Sequence, residues 1–341
     1  MEGYNYFLDL LIGLLKNYRF SSYDDIIKYF NSNQKTLNFN IETSGTTSTP
    51  KIISVKLENC IRYVKTNRSS NLIRFWGMGY PAGSYASTQV FFQSFMNKET
   101  IIYLYGTDFK SLDNLFSKYR ITNLSCTPTF LSMMLINMNS VYPTVSKITT
   151  GGEKMKDNLI DSFKKTFVNA EYVNIYASTE TGSLLYSNSE LFSIPEKYKE
   201  FIKVEEGTLR VHKSYLNFSS DIKVENGWFN TNDIVEWVND TQFRFISRSN
   251  GFLNTGGYRV SPTEIEETIL KIKNVNDVHV YGKPNSLLGT IVCADVIGKN
   301  IDSKIIKSDM MKLTDKHKIP QIIRIVDTFE FVSNGKKKLM I

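Results

Sequence analysis

Between residues 101 and 175, short apolar runs alternate with stretches of helical periodicity, and this alternation constrains the fold more than any other feature of the chain. Residues 101–104, 123–126, 146–149 and 172–175 read as strands, and 112–118, 129–136 and 159–167 as helices. Strands separated by crossover helices pair in parallel, so the pattern predicts a largely parallel sheet covered by helices. Upstream, residues 4–35 read as two short amphipathic helices, 37–41 and 52–55 as strands, and 57–67 as a helix. From 207 to 246 the character changes. There, β-rich pieces at 208–212, 227–230, 234–238 and 242–246 are separated by turn residues, as in a small antiparallel barrel or sheet. Beyond 250, a helix at 262–271, strands at 275–282 and 290–296, a helix at 304–317 and a strand at 322–326 predict a compact α+β unit. A chain of 341 residues exceeds one ordinary core, which favours two domains. The expected fold class is α/β. A large N-terminal domain has a mostly parallel sheet and a small β-rich subdomain, and a small α+β domain follows it.

The stretch that speaks most directly to chemistry is Thr43-Ser44-Gly45-Thr46-Thr47-Ser48-Thr49-Pro50-Lys51. Short side chains let the amides of Gly45 and Thr46 approach an anion. The hydroxyls of Thr43, Ser44, Thr46 and Thr47 add donors, and Lys51 adds a positive charge. Such a loop can wrap polyphosphate as backbone nests do. It is not a Walker loop, because G-x-x-x-x-G-K-[ST] is absent. A solvated Ser/Thr turn between two strands is the other reading of these residues taken alone.

Composition is that of an ordinary globular protein, with 41% apolar and 22% charged residues. The net charge of +7 is spread along the chain apart from Lys336-Lys337-Lys338, and no zinc-finger, RNP or basic-helix pattern accompanies it. Nucleic-acid binding is therefore not expected. The excess reads as solubility, with some attraction for polyanionic ligands. Cys60, Cys126 and Cys293 show no paired spacing, and His212, His279 and His317 are isolated. Buried thiols in a reducing cytoplasm fit this cysteine usage. The apolar run at 7–15 contains Asp9 and is far shorter than the ~20 residues of a membrane span. It reads as one face of a first helix, with neither a membrane span nor a signal peptide implied.

The hydroxyl-rich run resembles the phosphate loop of the adenylate-forming superfamily: acyl- and aryl-CoA synthetases, adenylation domains and luciferases. Ser48 stands where that family has a glycine. Further motifs follow in the family's order. Gly151-Gly152-Glu153 is similar to its adenine-side turn, and Asn174-Ile175-Tyr176-Ala177-Ser178-Thr179-Glu180 to N-x-Y-G-x-T-E, with Ala177 for glycine. Trp228-Phe229-Asn230-Thr231-Asn232-Asp233 resembles the ribose motif, with Asn232 for glycine. Ser247-Arg248-Ser249-Asn250 then leads to Gly256-Gly257-Tyr258-Arg259-Val260-Ser261-Pro262-Thr263-Glu264-Ile265-Glu266, and Asn334-Gly335-Lys336 closes the series. Members usually carry a longer stretch before the phosphate loop. A natural short form is expected, similar to reduced acyl-CoA ligases such as o-succinylbenzoate-CoA ligase-like ones.

The resemblance implies a chemistry. A carboxylate is a poor electrophile because its leaving group would be oxide; attack on the α-phosphate of ATP converts that oxide into AMP, which a thiol or amine then displaces. Both reactants are anions, so their charge must be neutralised as it builds at phosphorus. By resemblance, Glu180 would hold Mg²⁺ against the phosphates and Thr179 would donate to the α-phosphate. Lys336 would bridge the carboxylate and α-phosphate. Gly151, Gly152 and Glu153, with Asn174, Tyr176, Ala177 and Ser178, would form the adenine side, Tyr176 stacking on the base. Asp233 and Arg248 would hold the ribose. The implied domains are an adenylation core at 1–249 and a C-terminal lid at 250–341. The lid would rotate about Asn250, so that Lys336 leaves and Gly256, Gly257, Tyr258 and Arg259 meet the thiol acceptor, CoA or a carrier-protein phosphopantetheine. Asn254 replaces a frequently basic position in that segment.

Residues 76–89 hold Trp76, Tyr80 and Tyr85 among glycines and no acidic residue to pair with an α-amino group. That favours a small or aryl carboxylic acid, although core packing explains those aromatics equally well. Amino-acid adenylation and a non-catalytic nucleotide-binding scaffold stay open as alternatives, as does homo-oligomer formation.

Overall fold

The computed structural model describes residues 2–15, 20–43, 51–66, 73–155, 157–217, 223–248, 251–285 and 288–329. The chain divides into two compact units. One comprises Met1–Lys203 and Val211–Phe229, and the other Val204–Arg210 together with the described residues from Asn230 onward.

The first unit opens with α1 (Glu2–Leu15) and α2 (Tyr23–Asn33), the latter capped by Ser22, whose hydroxyl accepts from the Asp25 amide. β1 (Asn38–Thr43) and β2 (Lys51–Lys56) pair antiparallel, from Asn38 opposite Lys56 to Thr43 opposite Lys51. α3 (Leu57–Ile61) follows and ends well before the predicted residue 67. The Gln93 side chain takes both the amide and the carbonyl of Lys65, at 3.0 and 2.9 Å, and these tertiary bonds compete with helix continuation.

Next come β3 (Phe75–Gly79), α4 (Tyr85–Met96), β4 (Thr100–Tyr103), α5 (Leu112–Tyr119), β5 (Asn123–Cys126), α6 (Pro128–Asn137), β6 (Lys147–Gly151), α7 (Asp157–Thr166), β7 (Glu171–Ser178) and β8 (Gly182–Ser187). They build a six-stranded sheet in the order β4-β3-β5-β6-β7-β8, parallel except for β8. The expected mostly parallel sheet is therefore present. β3 and β8 did not stand out in the sequence. In β3 the reason is glycine, which weakens a strand's signature. A Cβ on Gly79 would lie 2.7 Å from Cβ of Cys126, and one on Gly77 would lie 2.9 Å from a methyl of Leu104. The alternate residues of β3, Trp76 and Met78, enter a different core with Phe7, Phe30, Phe91 and Phe92 of α1, α2 and α4. On the other face, Leu124, Cys126 and Ile148 pack with Phe116, Leu131, Phe163 and Phe167 of α5, α6 and α7 and the turn after it. The strand period of two thus sorts residues between two helical layers.

The chain continues through β9 (Ile202–Glu205), β10 (Thr208–His212), β11 (Val224–Glu225), β12 (Trp228–Trp237) and β13 (Phe243–Arg248). β12 is one ten-residue strand where the sequence suggested two pieces split by a turn. Asn232 takes φ +61 without ending the strand, and its amide donates to Oδ1 of Asn230 at 2.8 Å. Asparagine tolerates this left-handed geometry better than most residues, so the strand runs on through it instead of reversing. β12 and β13 pair antiparallel within the second unit.

The rest of the second unit is α+β, as expected. β14 (Leu253–Thr255) and β15 (Tyr258–Val260) form a hairpin and lead into α8 (Pro262–Leu270). Ser261 caps α8 by accepting from the Glu264 amide, and Pro262 occupies the first turn, where its missing N–H is harmless. β16 (Val275–Asn285) and β17 (Gly289–Gly298) pair antiparallel, α9 (Ser303–Leu313) follows, and β18 (Ile322–Ile325) adds parallel to β17. Ile265, Ile269, Val278, Val292, Val296, Ile306 and Met310 form its core. α9 stops at Leu313, short of the predicted 317, because Thr314 turns to extended backbone.

Candidate functional site

Two candidate groups lie at the carboxyl ends of the parallel strands β6 and β7, where open α/β sheets leave a crevice. β6 ends in Gly151, and a Cβ there would stand 2.9 Å from the Ile175 carbonyl oxygen of β7. Gly152 follows at φ +86, exposed, with open space where a side chain would be. Glu153 turns back into the fold: its carboxylate accepts from the Thr129 amide at 3.0 Å, in the first turn of α6. There it meets the positive end of the helix, beside the Thr127 cap that accepts from Phe130.

β7 and β8 are joined by Thr179, Glu180 and Thr181, with Ser178 opposite Gly182. A three-residue hairpin loop favours glycine in the left-handed region at its end, and Gly182 sits at φ +71. Ser178 Oγ accepts from the Thr181 amide at 3.2 Å and lies 3.1 Å from Thr181 Oγ1, which tightens the turn. Asn174 is buried, and its amide donates to the Ser189 carbonyl at 3.1 Å. Tyr176 and Ala177 are half-buried on either side of a register shift in the β7–β8 ladder. The Thr179 and Glu180 side chains are half-exposed, and among the described residues no hydrogen bond or ion pair engages either one. Glu180 therefore presents a carboxylate with its oxygens available. Among the described residues no group of three or more histidine, cysteine or acidic side chains is gathered for a metal. Mg²⁺ needs none, since it is commonly held by one or two carboxylates together with substrate phosphates and water. Glu180 fits that role.

In the second unit, β12 and β13 place Asp233 directly opposite Arg248. Arg248 Nε donates to Asp233 Oδ1 at 2.8 Å, with the carboxylate nearly buried and the guanidinium half-exposed. Asp233's amide donates to Thr231 Oγ1, which itself donates to the Leu209 carbonyl. Two residues fifteen apart in sequence thus become one polar pair.

The β14–β15 hairpin turns through Gly256 (φ +55) and Gly257 (φ +84). Tyr258 is exposed and stacks on His317 with ring centroids 4.3 Å apart, while the Arg259 guanidinium lies 4.3 Å over the Phe252 ring.

Trp76, Tyr80 and Tyr85 belong to the core on the α4 face of the sheet. Trp76 donates to Glu99 at 2.6 Å and Tyr80 donates to the Cys126 carbonyl at 2.8 Å. Of the two readings open for these aromatics, packing is the one seen. Ser44, Gly45, Thr46, Thr47, Asn250 and Lys336 lie outside the described residues, and for Thr43 and Lys51 the backbone pairing alone is described. Sequence reasoning overlooked Asn217, a buried residue whose amide nitrogen donates to the Thr179 carbonyl at 2.8 Å and whose backbone N–H donates to the Glu180 carbonyl at 2.8 Å. No local pattern marks it, because the turn it contacts lies far upstream, Thr179 being 38 residues away.

Residues 32–202 match the model of the AMP-binding enzyme family, and residues 264–336 match that of the AMP-binding enzyme C-terminal domain. The chain belongs to the AMP-binding enzyme family. Among curated members, bacitracin synthase 2 of Bacillus licheniformis is 25% identical over 256 residues, which cover 65% of this chain and 10% of the synthase. The 2-succinylbenzoate–CoA ligase of Staphylococcus aureus (strain JH9) is 24% identical across 95% of this chain and 73% of the ligase. The AMP-binding fold is shared with the o-succinylbenzoate CoA synthetase of Bacillus subtilis. As its complex with the acyl-adenylate intermediate, that structure has a TM-score of 0.63 at 18% identity over 88% of this chain and 67% of its own. Its complex with ATP and magnesium ion has a TM-score of 0.64. The chain thus spans a tenth of the synthase and about two thirds of the solved synthetase.

Proposed function

We propose that this chain activates a small or aryl carboxylic acid with ATP, forming an acyl-adenylate and pyrophosphate, and then passes the acyl group to a thiol of CoA or a carrier-protein phosphopantetheine. The observation that carries the reading is the Thr179–Glu180 turn at the strand ends of an AMP-binding fold, its carboxylate unengaged among the described residues. Glu180 would hold Mg²⁺, which when bound neutralises phosphate charge and sharpens phosphorus as an electrophile. Thr179 would donate to the α-phosphate, and the loop from Thr43 to Lys51 would cradle the other phosphates. Gly151, Gly152 and Tyr176 would border adenine, while Asp233 and Arg248 would take the ribose hydroxyls. Lys336 would neutralise charge between the carboxylate and the α-phosphate, and Gly256, Gly257, Tyr258 and Arg259 would serve thiol transfer after rotation about Asn250. A cytoplasmic setting is supported by Cys60, Cys126 and Cys293, all free and buried. Among the described residues no helix is long and apolar enough to cross a membrane.

Pyrophosphate exchange with a panel of carboxylic and amino acids tests the reading. Exchange driven by simple or aryl acids supports it; exchange driven by amino acids alone replaces it with amino-acid adenylation, and silence across the panel supports a scaffold. Lys336→Ala should lower adenylate formation by about 10²- to 10³-fold, the usual effect of losing one preorganised charge contact. Thioester formation from supplied acyl-adenylate should persist, and an equal loss of both steps would sink the two-step assignment.

A further inference from the structure

The Thr179–Glu180 turn is held from outside its own hairpin. Asn217 is 2% exposed and contacts the turn twice, its side-chain amide donating to the Thr179 carbonyl and its backbone N–H to the Glu180 carbonyl, both at 2.8 Å. Asn217 is itself held: Asn59 Nδ2 donates to its carbonyl at 2.8 Å, across a buried contact between residues 158 apart. Asn59 belongs to α3, which follows directly on β2, the strand leaving the hydroxyl-rich loop. Arg62, one turn on, donates to Oδ1 of Asn59 and lies 4.9 Å over the Tyr215 ring, two residues before Asn217. The space beneath the turn is closed. A Cβ on Gly182 would stand 2.8 Å from the Tyr85 hydroxyl and 3.1 Å from Asn217 Oδ1.

Each bond from the asparagines ends on backbone, and the side chains of Thr179 and Glu180 remain half-exposed and unengaged among the described residues. A hairpin loop of three residues has several low-energy shapes, and two fixed carbonyls select one of them. We propose that Asn217, braced by Asn59, is a positioning residue that sets the Thr179–Glu180 turn for magnesium-bound ATP and ties it to the strand leaving the phosphate loop. The proposal rests on the ATP-dependent reading above.

The test compares the full chain with Asn217→Ala and Asn59→Ala. ATP binding is titrated calorimetrically over a range of Mg²⁺ concentrations, acid-dependent pyrophosphate exchange is followed in parallel, and thermal unfolding reports the fold. Losing one neutral hydrogen bond should raise the Mg²⁺ concentration for half-maximal ATP binding about fivefold in Asn217→Ala. Exchange kcat should fall while KM for the carboxylic acid stays constant. Asn59→Ala should shift the same Mg²⁺ midpoint in the same direction by less, and the double variant should shift it further than Asn217→Ala, since the backbone of residue 217 still links Asn59 to the Glu180 carbonyl after that substitution. A folded Asn217→Ala with the wild-type Mg²⁺ midpoint overturns the proposal, as does a KM for acid that rises in step with everything else. If Asn217→Ala does not fold, the Asn59→Ala midpoint decides in the same way. Wild-type chain that binds ATP with Mg²⁺ but exchanges with no acid defeats the catalytic reading alone, and the midpoint shift still decides this one. Wild-type chain that shows no Mg²⁺-dependent ATP binding overturns the positioning role.

Discussion

Two turns in this protein are built on opposite principles. Thr179-Glu180-Thr181 is tightened locally by Ser178 and braced by distant residues: Asn217 grips its carbonyls and Asn59 grips Asn217. Gly256-Gly257 owes its shape mainly to itself, because two adjacent positive φ values make a two-residue hairpin turn and glycine alone adopts both without strain. Among the described residues one backbone bond from outside reaches it, from the Gly256 amide to the Leu288 carbonyl at 3.1 Å. The first turn leaves charged and hydroxyl side chains available above a fixed backbone. The second presents Tyr258 and Arg259, each already resting on a neighbouring ring. On the proposed function, the turn that aims a carboxylate gains from remote bracing, whereas the turn that offers a surface relies mainly on its own backbone chemistry.

If the first turn acts through its aimed carboxylate, Glu180→Gln should reduce pyrophosphate exchange by about 10²- to 10³-fold with little change in thermal stability. A loss below tenfold would reduce Glu180 to a bystander. Next in size is Gly182→Ala, which forces a side chain into positive φ and against the Tyr85 hydroxyl and Asn217. It should destabilise by about 2 kcal/mol in chemical unfolding. An unchanged midpoint would mean the space beneath the turn readily gives way. Gly257→Ala meets no neighbouring atom among the described residues, so the left-handed backbone is what opposes it there, at about 1 kcal/mol. A loss as large as that of Gly182→Ala would erase the contrast between the turns. Smallest is Tyr258→Ala, expected within about 0.5 kcal/mol because the ring is exposed. Its effect should fall on KM for the thiol acceptor and leave the exchange reaction alone; an equal change in exchange would remove the hairpin from thiol transfer.

How much of this was readable in advance varied with the range of the interactions. The helices and strands between residues 100 and 175 were legible because burial on both faces writes continuous apolar runs for strands and periodic ones for helices. β3 was not, since Gly77 and Gly79 are there to let Leu104, Cys126 and Phe130 approach. Asp233 and Arg248 were each singled out, yet their meeting as a 2.8 Å pair depends on the register of β12 with β13. Glu153 was read as part of an adenine-side turn; in the fold its carboxylate caps the start of α6, a contact no spacing reveals.

Order and spacing of motifs, the glycine turn at 256–257 and the Ser261 helix cap were determined by the sequence alone, because each is a local rule acting over a few residues. The sharing of residues between two cores, the bracing of Thr179 and Glu180 by asparagines far along the chain, and the burial of Trp76, Tyr80 and Tyr85 were decided only by the tertiary structure. Hydrogen bonds and close packing depend on distance in space, and the chain folds positions well over a hundred residues apart into direct contact.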